Sequence, residues 1–110
     1  MEGFVKGDII VISFPFSDLS SSKRRPALVL ARLQGDDLIL CQITSESRLD
    51  SYAIRLESSD FSKGKLNVVS MIRPNKLITI DKSLIQYKIG ALKHEKLKEV
   101  IKRLIKIFEE

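Results

Sequence analysis

The sequence predicts a mainly-β domain: a small antiparallel barrel, closed or nearly closed, with one amphipathic helix at its end. Short β-branched and aliphatic runs recur from Asp8 to Ile80, and the turns between them are too short for the helical crossovers that parallel pairing requires. From Leu97 onward the apolar period changes, with Leu97, Val100, Ile101, Leu104 and Phe108 falling on one helical face and lysines and glutamates on the other. At 110 residues the chain supports one core, because a domain of this size buries only about two thirds of its unfolded surface. A single domain spanning residues 1–110 follows.

Asp8–Phe14, apolar after a Gly-Asp start, reads as the first strand. Pro15–Ser22 contains a proline and three consecutive serines, which stop regular structure, and it is long for a hairpin connection. Pro26–Leu33 and Leu38–Thr44 are strands joined by the turn Gln34-Gly35-Asp36-Asp37, so they form a hairpin. Ser45–Ser51 is polar and turn-like, Tyr52–Leu56 alternates as a fourth strand, and Ser58–Gly64 reads as loop. Leu66–Ile72 and Lys76–Ile80 read as two strands parted at Arg73-Pro74-Asn75. Asp81 caps a short turn through Lys82–Ile85, and Gln86–Ala91 fits neither periodicity. The closing helix starts poorly, since Lys93 and His94 sit at its cap and first turn, where they oppose the helix dipole.

Composition narrows the function classes. Apolar residues at 44% and charged residues at 30% exclude a disordered chain. No apolar run approaches the roughly 18 residues of a membrane span, and Met1-Glu2-Gly3 lacks the order of a secretory signal, so a cytoplasmic protein is expected. Cys41 lies inside an apolar run and reads as a buried, inert thiol. The net charge of +5 suits a polyanionic partner, although much of the excess falls on the solvated face of Lys93–Lys106. The cations beside loops carry more weight: Lys23, Arg24, Arg25, Arg48, Arg55, Lys63, Lys65 and Arg73.

Lys23-Arg24-Arg25 runs directly into Pro26-Ala27-Leu28-Val29-Leu30. Proline pushes the preceding residue toward extended geometry, which mounts the Arg25 guanidinium on a rigid strand. Other chemistries find little support. The lone His94 leaves no two-histidine acid–base pair, and no Cys/His spacing builds a zinc site. Asp36, Asp37, Glu46, Asp50, Glu57 and Asp60 share no face on which to hold Mg²⁺ and read as solubilising, and the glycines make no phosphate loop. No metal and no cofactor is expected.

Gly7-Asp8-Ile9-Ile10-Val11, Phe14-Pro15-Phe16, Arg24-Arg25-Pro26-Ala27-Leu28-Val29-Leu30 and Ile43-Thr44-Ser45 occur in an order and spacing that resembles the MazF/PemK family, the ribonuclease toxins of type II toxin–antitoxin systems. The resemblance implies an SH3-like antiparallel barrel of MazF/PemK type with a C-terminal helix. It implies metal-independent, sequence-specific cleavage of single-stranded mRNA to 2′,3′-cyclic phosphate and 5′-hydroxyl ends, a homodimer, and neutralisation by a cognate antitoxin. By position, the family's catalytic arginine and hydroxyl match Arg25 and Thr44, with Arg24 and Ser45 as the neighbours that would replace them if the register slipped. Metal-free RNA cleavage needs added negative charge stabilised on phosphorus, a task that suits a guanidinium fork; its high pKa makes it a poor base, so proton transfer stays open.

Single-stranded RNA is held by cations along the phosphates and aromatics on the bases. The loop carrying Phe16 and the loop Glu57–Lys65, with Phe61, Lys63 and Lys65, are the expected walls of a groove around Arg25, which Lys23, Arg24, Ser45 and Arg73 would extend. Phe16 fits the core equally well. The alternatives are a non-enzymatic toxin of the same fold that grips a protein such as gyrase, and a nucleic-acid-binding barrel module.

Overall fold

The computed structural model describes residues 3–14, 23–46 and 50–110. Among these, seven strands form one antiparallel sheet: β1 (Asp8–Phe14), β2 (Lys23–Arg32), β3 (Asp37–Thr44), β4 (Ile54–Leu56), β5 (Phe61–Lys63), β6 (Ser70–Asp81) and β7 (Ile85–Leu92). Helix α1 (His94–Phe108) follows. The spatial order is β4-β6-β3-β2-β1-β7-β5, and the sheet curls into a half-barrel with β4 and β5 as its edges.

The central strands are apolar on both faces, so they read as continuous hydrophobic runs rather than as an alternation. Odd and even residues of β1 serve different clusters. Ile9 joins Leu28, Leu30, Cys41, Ile43, Ile72 and Val100, against which Leu97, Ile101 and Leu104 of α1 pack. Ile10 and Ile12 join Ala27, Val29, Leu38, Leu40 and Ile80 on the other face. The second face matters here, because β2 and β3 carry it outward to the candidate site.

Several elements differ from the sequence expectation, each for a physical reason. β2 starts at Lys23, ahead of Pro26, since pairing with β1 reaches Phe14↔Lys23. Toward β3 the ladder begins only at Ala27↔Gln42, just past the residue that has no N–H to give. The pair of strands expected around Arg73-Pro74-Asn75 is one strand, β6: its partners on β3 jump from Leu77 opposite Cys41 to Arg73 opposite Gln42. The buried proline therefore makes a bulge instead of an ending. β6 begins at Ser70, and the fourth strand is confined to Ile54–Leu56.

Ser58–Gly64, expected as loop, holds a 3₁₀ turn at Ser58–Asp60 and then β5. The Asp60 carboxylate accepts the Glu57 N–H at 2.8 Å, a reciprocal cap that closes the turn. Phe61 is buried in the core instead of lining a groove. The unassigned Gln86–Ala91 belongs to β7, whose pattern is blurred because Gln86–Lys88 are exposed in a row and the strand shifts register twice against β1.

The helix starts as poorly as its sequence suggests: Lys93 is the N-cap, with no side-chain capping bond. Tertiary contacts replace the cap. The Lys93 N–H donates to the Asp60 carbonyl at 2.8 Å, and Lys96 Nζ lies 3.7 Å from the Asp60 carboxylate. The expected Asp81 cap is present, its carboxylate accepting the Ser83 N–H at 2.8 Å.

Candidate functional site

Register and alternation put Arg25 and Thr44 on one face of the β2–β3 pair. The β2–β3 pairing runs Val29↔Leu40, Leu28↔Cys41, Ala27↔Gln42; continued two positions, it sets Arg25 opposite Thr44. Side chains alternate along a strand, so Arg25 shares the face of Ala27 and Val29, and Thr44 that of Leu38 and Leu40. Both residues therefore lie on the face of the Ala27–Gln42 pair, each two positions beyond it on its own strand. Arg24 alternates to the other face, with Leu28 and Leu30. Arg25 is half-buried and Arg24 exposed.

Thr44 is 7% exposed and ends β3. Its Oγ1 accepts the Glu46 N–H at 3.1 Å, a turn that fixes the hydroxyl's direction. A hydroxyl has one proton and two lone pairs, so accepting that bond leaves the proton to donate. Ser45 follows the strand end and is exposed.

On the far flank of β3, β6 places Arg73 opposite Gln42 and Met71 opposite Thr44. Arg25, Gln42, Thr44 and Arg73 thus line one face of three adjacent strands. Arg73 is engaged: its Nη2 lies 3.2 Å from Asp50 Oδ2, which also accepts from Asn75 Nδ2 at 3.0 Å. Asp50 Oδ1 takes the Tyr52 N–H at 3.1 Å. Partial desolvation pushes the Asp50 carboxyl up, but the bonds from Asn75, Tyr52 and Arg73, with the Arg73 charge, outweigh it and hold the group below its ordinary range. The turn is anchored from behind by Arg103, which donates to the Ser51 and Tyr52 carbonyls at 3.1 and 3.0 Å.

The remaining expected residues are dispersed. Lys23 opens β2 opposite Phe14, and Phe16 lies outside the described residues. Lys63 and Lys65 are exposed on and beyond β5, which pairs with β7 at the opposite edge of the order from β4. Lys63 faces Ala91, itself level with Asp8, whereas Arg25 is level with Ile12. Sheet register does not set these two lysines beside Arg25 and Thr44.

Two residues of the site escaped sequence reading. Gln42 had a signal, a polar side chain between Leu40 and Thr44 on an otherwise apolar face. Asp50, read as solubilising, had none, because its partner Arg73 is distant in sequence. Cys41 is fully buried, and burial pushes its thiol up to about 12, so no thiolate forms near neutral pH. Among the described residues no group of three His, Cys, Asp or Glu side chains converges.

Residues 5–108 match the family of PemK-like, MazF-like toxins of type II toxin–antitoxin systems. The chain belongs to this family. Solved structures share its fold. A Deinococcus radiodurans MazF superposes with a TM-score of 0.77 over 100% of both chains at 19% identity. An endoribonuclease in complex with its cognate antitoxin, from a mycobacterial species, gives 0.77 over 97% of this chain and 96% of the other at 11% identity. The Mycobacterium tuberculosis toxin MazF-mt6 gives 0.72 over 93% and 96% at 19% identity. Comparison with curated proteins finds no matching relative. The half-barrel with its terminal helix is the MazF fold.

Proposed function

We propose that this toxin is a metal-independent, sequence-specific endoribonuclease that cuts single-stranded mRNA, with Arg25 and Thr44 as its catalytic residues. The observation that supports the reading is the shared face of β2 and β3 on which Arg25 and Thr44 both lie, two residues beyond the Ala27–Gln42 pair. In the reaction a ribose 2′-hydroxyl attacks its own 3′-phosphate, the bond to the next 5′-oxygen breaks, and a 2′,3′-cyclic phosphate and a 5′-hydroxyl result. Negative charge grows on the non-bridging oxygens as the phosphorus gains its fifth ligand. The Arg25 fork holds two of those oxygens, and the Thr44 hydroxyl donates its free proton to one of them.

Arg24, next along β2 and exposed, supplies phosphate attraction that steers a polyanion toward this end of the sheet. Arg73, tied to Asp50, contributes positive potential beside Gln42 and reaches RNA when that ion pair opens. The protein works in the cytoplasm as a homodimer and is neutralised by a cognate antitoxin; the antitoxin complex of the mycobacterial structure supports the last of these.

The test is cleavage of a labelled single-stranded RNA in EDTA, with the ends of the products identified. The reading requires cyclic phosphate at the 3′ end and loss of cutting in Thr44→Val. Linear 3′-hydroxyl products, or a strict need for added Mg²⁺, would overturn the mechanism. Saturable binding to a protein target with no cleavage of any RNA would overturn the enzyme.

A further inference from the structure

A second concentration of positive charge lies at the other end of β2. Arg32 closes that strand, seven residues beyond Arg25 and so about 23 Å along it. It shares an open cleft of about 560 Å³ with Val5, Lys6, His94 and Leu97. Three segments distant in sequence build the cleft: the approach to β1, the end of β2 and the first turn of α1. The approach runs beside the helix, with Leu97 Cδ2 at 3.4 Å from where a Cβ on Gly7 would lie.

Lys6 and Arg32 supply the charge of this cleft, and His94 adds a ring N–H. Among the described residues, none of Lys6, Arg32 and His94 belongs to an ion pair. Two of the acids nearby are taken: Asp36 holds Lys82 at 3.3 Å, and Asp8 holds Lys88 at 3.2 Å and the Val5 N–H at 2.9 Å, while Glu95 lies beside His94 in the first turn of α1. Clustered like charges repel one another, and a fold normally disperses them or interleaves acids. Here they surround a concavity whose other lining side chains, Val5 and Leu97, are apolar.

We propose that this cleft binds a nucleotide, with the phosphate held by Lys6, Arg32 and His94 and the base lying on Val5 and Leu97. A guanidinium and an ammonium complement a phosphate as fork and point charge, and a cleft of this size falls in the range of small-molecule sites. A bare anion would leave the apolar walls unused, and an uncharged ligand would leave the cations unsatisfied. The site is separate from the Arg25 face and does not depend on the ribonuclease reading.

The experiment is a ¹H–¹⁵N NMR titration of the full chain with adenosine 5′-monophosphate, inorganic phosphate and adenosine, at constant ionic strength. The amides of Lys6, Arg32, His94 and Leu97 should shift saturably with the nucleotide, more weakly with phosphate, and not with adenosine. The exposed double variant Lys6→Gln/Arg32→Gln should bind the nucleotide at least tenfold more weakly while keeping the wild-type spectrum elsewhere. The proposal falls if the shifts centre on Arg25 and Thr44, if adenosine binds as tightly as its phosphate, or if the double variant binds unchanged. It also falls if only an oligoribonucleotide, and not the mononucleotide, shifts these amides. The readout is binding, so loss of RNA cleavage and loss of this site are separate results.

Discussion

Gly90→Ala isolates the close approach of β5 to β7, the contact that closes one edge of the half-barrel. A Cβ at Gly90 would lie closer than 3.0 Å to the Lys63 carbonyl oxygen and within 3.0 Å of Gly64 Cα, all of it backbone. No rotamer change relieves such crowding, so β5 must shift or detach. A forced shift in a packed region costs about 1–3 kcal/mol, and detachment would strip Phe61, 7% exposed, from the core at about 3–5 kcal/mol. The cheaper route wins, which puts the expected loss near the top of the first range, about 3 kcal/mol. For a domain of this size that lowers Tm by roughly 10–20 °C. Gly35→Ala is the control: its φ of 76° is strained for alanine, but nothing lies within 4 Å of the added methyl, so about 1–2 kcal/mol is expected. Thermal unfolding followed by circular dichroism reads both. A Gly90→Ala loss of less than about 3 °C, or one no larger than that of Gly35→Ala, would refute the reasoning.

Thr44→Val should lower kcat for RNA cleavage by about 100-fold with little change in KM, whereas Thr44→Ser should retain most activity; equal rates in all three proteins would remove the hydroxyl from the mechanism. Cys41 should resist iodoacetamide at pH 8 in the native protein and react on unfolding, since burial keeps its thiol protonated; rapid native labelling would contradict the packing. Asp50 has a folded-state pKa below its ordinary 3.8, so its contribution to stability is complete above that value and fades as pH falls through the depressed one. NMR titration of its carboxyl should show the low midpoint, and Arg73→Gln should move it up; an unchanged midpoint would sever the pair.

The parts of the fold that were legible in the sequence are those set by local pattern. β1 and β3 stand out because both their faces are apolar, and α1 because Leu97, Val100, Ile101 and Leu104 keep one helical face. β6 and β7 were harder to read, since their character is imposed by partners: β3 pairs with β6 on both sides of the bulge at Pro74, and β1 pairs with β7 despite the exposed run Gln86–Lys88. The same division runs through the site. Arg25 is marked by the proline that follows, whereas Thr44 ends a strand as an ordinary hydroxyl would and is singled out only by the family resemblance. That Arg25 and not Arg24 shares a face with Thr44 follows only from register, and that Arg73 is held by Asp50 only from the chain's return. Lys63 lies on the edge strand β5, which pairs with β7 and not with β2 or β3, a placement that the basic character of the segment does not reveal.

The most direct measurement is the rate at which Arg25→Ala cuts single-stranded RNA in EDTA, beside wild type and Arg25→Lys, with circular dichroism to establish that all three are folded. Loss of the guanidinium should slow cleavage by about 100- to 1,000-fold, and lysine, which keeps the charge but not the fork, should restore only part of it. Wild-type rates in Arg25→Ala would contradict the account at its centre.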